Sequence, residues 1–326
     1  MMLLYQDAIE QLPDGEKPSI LIANGFSQAW NAKIFNYANI LEAAHFGGRD
    51  NEINNLFKKS ETYDFEKIMG QLVSAQNVLE SYGSDPALIE QIKTDQNILK
   101  ESLVTAISKT HPSLPSAVTD DQFIAVRKFL ATFKDIYSLN YDLLLYWAIN
   151  KFNLEPHNYR VDDGFRYPNT WKVTGTNQNL FFLHGGLHIF DEGDRIRKHA
   201  STEEGLTIID QVRSNLDRHK FPLFVSEPTA QKKKARIEHN PYLYKSFTKL
   251  GELEGVLFIH GHSLDENDKH IFDKVVSSNV SKVYVSIFGN ENSDANKKSK
   301  ANALAYIQSN TTAVEFYQAE TAPVWV

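Results

Sequence analysis

Short apolar runs that alternate with helical patterns constrain the fold of this chain more than any other feature. A helical stretch such as SQAWNAKIFNYANILEAA follows the first run. Apolar strands bounded by helices are typical of a parallel sheet whose two faces are both covered. We therefore predict an α/β fold with a doubly wound, mostly parallel sheet of about six strands. Seven segments are candidates for these strands: PSILIANG, DIYSLN, NLFFLHG, FPLFVSE, GVLFIHG, KVYVSIFG and TAVEFYQA.

A long helical block interrupts this alternation after the first strand and helix. Apolar residues recur at three- and four-residue spacing from Phe65 to Ile107, and prolines at 112 and 115 break the pattern. Thr119 and Gln122 then form a capping-box signature at the start of another helix. We predict one domain over residues 1–326, with a helical insertion over residues 44–134.

Charge and cysteine content exclude several classes of protein. The net charge is −7, which argues against nucleic-acid binding because each phosphate contact needs a cation. The chain has no cysteine, so it has no disulfide, no thiolate nucleophile and no Cys-ligated metal. The sequence shows neither a membrane-spanning run nor a secretory signal, and we expect a cytoplasmic protein that does not contact membranes.

The residues after each predicted strand are the candidates for function, because ligands of open parallel sheets bind beyond the carboxyl ends of the strands. Glycine turns that enter a helix, at Gly25 and Gly261, let backbone N–H groups approach a phosphate. The candidate segments are Ala23-Asn24-Gly25-Phe26-Ser27, Ser138-Leu139-Asn140-Tyr141-Asp142, Leu183-His184-Gly185-Gly186, Ser226-Glu227, Gly261-His262-Ser263 and Gly289-Asn290.

Each of these segments also has a simpler explanation. Asn140 and Asp142 are common helix-capping residues, and a lone histidine such as His184 is more often a buried structural residue. The histidine pairs 184/188 and 260/262 have a spacing that suits a metal, but without an acidic partner beside them we predict no metal site. The basic run KKKAR (232–236) is typical of a solvated face or of a loop that closes over the site.

Taken in order, four of the segments resemble the motifs of the sirtuin-like superfamily of NAD-consuming proteins. The Asn-Tyr-Asp form of the second motif is similar to the bacterial, zinc-free branch used in antiphage defence. Tyr63–Glu66 and Asp163–Phe165 look like a branch of that group whose function is unknown. The four motifs are Ala23-Asn24-Gly25-Phe26-Ser27, Ser138-Leu139-Asn140-Tyr141-Asp142, Leu183-His184-Gly185 and Gly261-His262-Ser263.

The resemblance implies a role for each segment in cleaving NAD, which would be a substrate and not a cofactor. His184 would be the general base, and Asn140 would orient the nicotinamide ribose and the attacking water. Asp142 would contact the ribose or the carboxamide, or would stabilise the cationic sugar. The pyrophosphate and adenosine would rest on Ala23, Asn24, Gly25, Phe26, Ser27, Gly261, His262, Ser263 and Gly289.

Departures from the family narrow the expected activity. Ala23 replaces a glycine, Leu139 replaces a glutamine, and the four-cysteine zinc module of deacylating sirtuins is missing. The resemblance thus implies an NAD glycohydrolase that yields nicotinamide and ADP-ribose, an antiviral effector controlled by homo-oligomeric assembly or by a partner protein. The alternatives are an NAD cyclase and a non-catalytic NAD- or ADP-ribose-binding sensor. A Rossmann oxidoreductase is disfavoured because its Gly-x-Gly-x-x-Gly turn is absent, although Glu42 lies near the expected acidic position.

Overall fold

Ten β-strands form two sheets in the structure, a computed structural model that describes residues 2–200 and 206–326. One sheet has six strands and the other has four. The strands are β1 (Ser19–Ile22), β2 (Ile136–Ser138), β3 (Phe165–Arg166), β4 (Thr170–Trp171), β5 (Leu180–Phe182), β6 (Ile189–Asp191), β7 (Ile196–Lys198), β8 (Glu254–His260), β9 (Asn279–Ile287) and β10 (Ala313–Gln318).

The larger sheet is parallel throughout and has the order β10-β9-β8-β1-β2-β5. If its strands are numbered along the chain, the order is 3-2-1-4-5-6. The order reverses between β1 and β8, where Ile22 pairs with His260. The prediction of an α/β fold with a mostly parallel six-stranded sheet is confirmed. Because all six strands run the same way, the segments that follow them meet at one edge of the sheet.

The strands of this sheet are buried on both faces. All four residues of β1 are buried, although successive side chains of a strand point to opposite faces. The last five residues of β8 and of β9 are buried as well. Helices therefore cover both faces, which explains why the strands are continuous apolar runs and do not alternate apolar and polar residues.

Thirteen α-helices lie in the described part of the chain. None of them is both long enough and apolar enough to cross a membrane. The helices are α1 (Tyr5–Glu10), α2 (Asn24–Phe35), α3 (Tyr37–Ala43), α4 (Asp50–Lys59), α5 (Phe65–Ser81), α6 (Pro86–Thr110), α7 (Asp120–Leu130), α8 (Leu144–Asn150), α9 (Ile208–Leu216), α10 (Ala230–Glu238), α11 (Pro241–Leu250), α12 (Lys269–Val276) and α13 (Asp294–Tyr306).

The segment 44–134 contains α4 to α7, and side-chain caps fix where three of these helices begin, with Asp85 as the cap of α6. Thr119 and Gln122 form the predicted capping box at the start of α7. The Asp64 carboxylate accepts hydrogen bonds from the backbone N–H groups of Glu66 and Lys67 at the start of α5. An Asp cap is typically worth about 1 kcal/mol. The cap of α5 therefore helps to fix the first turn that carries Glu66.

Three features differ from the predicted elements. The segment FPLFVSE (221–227) is not a strand, because it pairs only at one bridge, between Gly185 and Phe224. The run KKKAR lies inside α10 and not in a loop. The small antiparallel sheet β3-β4-β7-β6 was not predicted, because strands of two or three residues are too short to show alternation.

Candidate functional site

A cavity of about 760 Å³ lies at the carboxyl edge of the parallel sheet. The segments that follow β1, β2, β5 and β8 all contribute to its wall, and the helical block adds apolar residues such as Leu103 and Ile107 from α6. The cavity thus lies where the strand order reverses, which is the usual place for a ligand in such a sheet. The predicted site residues that line it are Ala23, Asn24, Gly25, Asn140, Asp142, His184, Gly261, His262 and Ser263.

Three predicted site residues do not line this cavity. Phe26 is fully buried and packs against the ring of Trp325. Ser27 lies behind the wall, and Gly289 lies beside the lining residue Phe288. The backbone N–H of Gly289 donates to the carboxylate of Glu320.

The two turn glycines allow the loops after β1 and β8 to touch. A Cβ atom on Gly25 would lie 2.5 Å from the Cα atom of Gly261, and one on Gly261 would lie 2.7 Å from Gly25. The N–H of Gly25 donates to the carbonyl of Gly261 at 2.8 Å, and the N–H of Phe26 donates to that of Ala23 at 2.9 Å. These two amides are therefore already bonded within the protein. The glycines are needed for backbone packing, and fewer N–H groups face a phosphate than the sequence pattern predicts.

A buried chain of hydrogen bonds fixes Asn140. The Asn140 Nδ2 group donates to Ser27 Oγ at 2.9 Å, and Ser27 Oγ donates to Asp142 Oδ2 at 2.5 Å. A carboxylate only accepts, so the single hydroxyl hydrogen of Ser27 goes to Asp142 and Asn140 must present its amide hydrogens. Asp142 Oδ1 also accepts from the backbone N–H of Leu144 at 2.9 Å. Burial raises the pKa of Asp142, and the Ser27 hydrogen bond opposes this rise.

This chain of hydrogen bonds changes the interpretation of Asp142. Its two oxygens are bound to Ser27 and to the first turn of α8, so it holds Asn140 in place through Ser27. The capping explanation is therefore correct in part for Asp142. The Asn140 side chain instead donates to Ser27 from the cavity wall.

His184 follows β5 and is almost completely buried beside other titratable groups. Its Nε2 atom lies 3.3 Å from Nε2 of His270 and 3.9 Å from Oδ1 of Asp268. The two imidazole rings are nearly parallel, with an angle of 13° between them. Burial lowers the pKa of His184 well below 6.5, and Asp268 opposes this shift. His184 is therefore neutral at pH 7, and Asp268 would stabilise its protonated form.

Sequence reasoning missed a buried ion-pair cluster at the same cavity. Lys233 Nζ lies 2.8 Å from Glu66 Oε2 and 2.8 Å from Asp268 Oδ1. The exposed fractions of the side chains are 1% for Lys233, 13% for Glu66 and 15% for Asp268. All three line the cavity. We refer to these three residues as the charge cluster.

The charge cluster joins three separate parts of the chain. Glu66 comes from α5 in the helical block, Lys233 comes from α10, and Asp268 precedes α12. A four-residue spacing could have revealed Lys233, because it lies one helical turn before the buried Ile237 and shares its face. The neighbouring basic residues obscure this spacing, because the run KKKAR as a whole is typical of a solvated face.

The electrostatics of the cluster follow from its burial. Burial raises the pKa of Glu66 to about 7, although Lys233 opposes the rise. Burial also acts to raise the pKa of Asp268, but Lys233 and the hydrogen bond from His262 hold it well below 3.8. Burial disfavours the charged form of Lys233, yet the two carboxylates overcome this and raise its pKa. Lys233 is therefore charged at neutral pH.

Three side chains, those of His184, Asp268 and His270, are close enough together to bind one metal ion. One ligand atom from each of His184, Asp268 and His270 lies within 4.8 Å of the others. However, Oδ1 of Asp268 accepts from Lys233 and Oδ2 lies 3.1 Å from Nε2 of His262. A metal ion at this point would lie beside the buried ammonium group of Lys233, which repels it. The absence of a metal stays a prediction, but the acidic partner that the histidines lacked in the sequence analysis is Asp268.

Comparison with known proteins places the chain in a family but assigns it no activity. No curated protein matches the chain significantly. Residues 20–325 match a family described as a domain of unknown function, DUF4917. That description names no reaction and no ligand, so the resemblance to sirtuin-like proteins stays a hypothesis. Because the match covers nearly the whole chain, this protein belongs to the DUF4917 family.

Proposed function

We propose that this protein is an NAD glycohydrolase that releases nicotinamide and ADP-ribose. The observation that carries the proposal is that Asn140 and His184 line one cavity at the point where the strand order reverses. The order 3-2-1-4-5-6 is that of dinucleotide-binding sheets, in which the dinucleotide lies across this point. Binding alone does not need an amide and an imidazole at the same wall, whereas the proposed cleavage would use both.

Asn140 would orient the nicotinamide ribose and the water that attacks it. Its amide hydrogens point to Ser27, so its carbonyl oxygen is the group with which it would accept a hydrogen bond from a hydroxyl or a water. The hydrogen bond from Asn140 to Ser27 and the one from Ser27 to Asp142 hold Asn140 in this orientation before the substrate arrives. Such positioning is worth several kcal/mol in well-oriented reactions.

His184 would accept a proton from a ribose hydroxyl or from the attacking water. Because His184 is neutral at pH 7, one of its two ring nitrogens carries a lone pair that can take up a proton. Its conjugate acid would gain from Asp268, whose Oδ1 atom lies 3.9 Å from Nε2. Cleavage leaves a sugar with cationic character, and addition of water completes the hydrolysis. Control of the activity by oligomerisation or by a partner protein remains part of the proposal.

The test is incubation of the purified protein with NAD, followed by product analysis over a range of protein concentrations. We expect nicotinamide and ADP-ribose in equal amounts, and cyclic ADP-ribose would instead identify a cyclase. His184→Ala should lower turnover by about a hundredfold or more, as for the loss of a general base. His157→Ala is the matched control, because the His157 side chain is 69% exposed.

Asn140→Ala separates an enzyme from a binding module. We expect NAD affinity to stay within about tenfold, and turnover per folded molecule to fall much further. Binding of NAD without cleavage by the wild-type protein would instead identify the sensor alternative. A protein that neither binds nor cleaves NAD would refute the proposal.

A further inference from the structure

The charge cluster contains one positive and two negative side chains. Lys233 bonds to both Glu66 and Asp268, so the cluster has a net charge of −1 when both carboxyl groups are ionised and the nearby histidines are neutral. Burial of a charge without a partner is unfavourable, because the protein interior solvates a charge less well than water does. A cationic group of a ligand in the same cavity would balance the charge. The cavity thus has the electrostatics of a site for a cation.

The substrate of the proposed function carries such a group. The nicotinamide ring of NAD⁺ is a pyridinium cation, and the ring of NADH is neutral. As the glycosidic bond breaks, the positive charge moves from the ring to the sugar. A negative group beside the cavity would therefore favour binding of NAD⁺ and also stabilise the transition state.

We propose that the charge cluster makes this cavity selective for N-glycosides with a cationic base, and that Glu66 sets the selectivity. The inference rests on the proposed function, since it assumes that NAD occupies the cavity. It gives the helical block a direct part in the site, because Glu66 comes from α5. Asp268 cannot take this role alone, because Lys233 and His262 bind its two oxygens.

The groups around Glu66 make the protonation state of its carboxyl group sensitive to the charge of a bound ligand. Lys233 and Asn267 both donate to its Oε2 atom. Four other titratable groups interact electrostatically with Glu66. They are Tyr37 at the start of α3, Tyr141 after β2, Asp64 at the cap of α5 and Asp268 before α12. His184, His262 and His270 adjoin Asp268. Lys233 is the one cation among these groups, so a bound cation would be the second.

These charges predict that binding of a cationic ring is coupled to the release of protons from the protein. Burial raises the pKa of Glu66 to about 7, so its carboxyl group is partly protonated near neutral pH. A cation beside it would favour the ionised form and lower this pKa. Binding of a dinucleotide whose nicotinamide ring is cationic should therefore release protons, and binding of a dinucleotide whose ring is neutral should not.

The experiment is calorimetric titration at pH 7.5 with NADH and with carba-NAD⁺, in which a methylene replaces the ring oxygen of the nicotinamide ribose. Carba-NAD⁺ keeps the cationic ring and is not cleaved. We expect the wild-type protein to bind it about tenfold more tightly than NADH, since one charge within a few ångström is worth at least that factor. Glu66→Gln should remove most of this preference and leave NADH affinity within about threefold. Glu90→Gln, an exposed position on α6, should change neither affinity.

A second readout needs no variant, in case Glu66→Gln destabilises the fold. Titrations in buffers with different ionisation enthalpies measure the protons released, and we expect release with carba-NAD⁺ but not with NADH. Equal affinity for the two dinucleotides, with no proton release, would overturn this inference and leave NAD cleavage intact. If neither dinucleotide binds and NAD is not cleaved, the proposed function itself fails and the inference with it.

Discussion

Replacement of Ser27 by alanine tests whether the hydrogen-bond chain behind the cavity acts as a unit. The Ser27 hydroxyl is fully buried, donates to Asp142 at 2.5 Å and accepts from Asn140 at 2.9 Å. Its removal takes one of two donors from a buried carboxylate. Hydrogen bonds to charged groups contribute about 1.5 to 3 kcal/mol, and we expect Ser27→Ala to lower the free energy of unfolding by about 2 to 3 kcal/mol.

Protonation of Asp142 limits this loss. Burial already raises the pKa of Asp142 while the Ser27 hydroxyl opposes the rise, so the variant should raise it further. A carboxyl group that takes up a proton no longer carries a buried charge, so the missing hydrogen bond costs less once Asp142 is protonated. The deficit should therefore shrink at pH 5, where the carboxyl group of the variant takes up a proton more readily.

The assay is urea denaturation followed by the fluorescence of the four tryptophans. Ser246→Ala is the matched control, because Ser246 is also fully buried but donates only to the carbonyl of Tyr242 at 2.9 Å. We expect the control to lose about 1 kcal/mol, as for a neutral hydrogen bond. NAD turnover per folded molecule should fall at least tenfold in Ser27→Ala only. A Ser27→Ala protein with wild-type stability and wild-type turnover would refute the role assigned to the chain.

Three further predictions concern packing, pH and metal. Gly261→Ala should lower the free energy of unfolding by about 2 to 5 kcal/mol, because the φ of +75° disfavours a side chain and the new Cβ would meet the backbone of Gly25. Wild-type stability of this variant in a urea titration would contradict the prediction. Burial lowers the pKa of His111, His260 and His270 to about 4, so the unfolded chain binds more protons below pH 6.5 and stability should fall as the pH drops from 6.5 to 4. The raised carboxyl pKa values, those of Glu66, Asp135 and Asp142, act in the opposite sense, and a flat unfolding profile over this range would count against the burial of the histidines. Treatment with a chelator should change neither the melting temperature nor NAD turnover, and a drop in either would show that a metal is bound.

The sequence alone determined the class of the fold and the edge of the sheet where the site lies. Buried strands are read from continuous apolar runs, and the residues after Ile22, Ser138 and Phe182 follow such runs directly. Parallel strands then bring these residues to one edge whatever the details of packing. For this reason Asn140 and His184 could be placed near each other although 43 residues of chain separate them (184 − 140 − 1).

Only the tertiary structure decided the roles of individual side chains. The sequence could not show that Gly25 uses its amide to bind Gly261, or that Ser27 links Asn140 to Asp142, because both contacts join segments that are distant in the chain. It also gave no sign of the strand order, which follows from packing and not from local pattern.

The charge cluster shows most clearly where sequence reasoning stops. Glu66, Lys233 and Asp268 each lie beside other charged residues, as exposed charges also do, and only the spacing from Lys233 to Ile237 sets one of them apart. Their burial depends on each other, since an ammonium group enters the interior only where carboxylates receive it. That condition is met when α5, α10 and the turn before α12 converge on one cavity, so it is a property of the folded molecule and of no single segment.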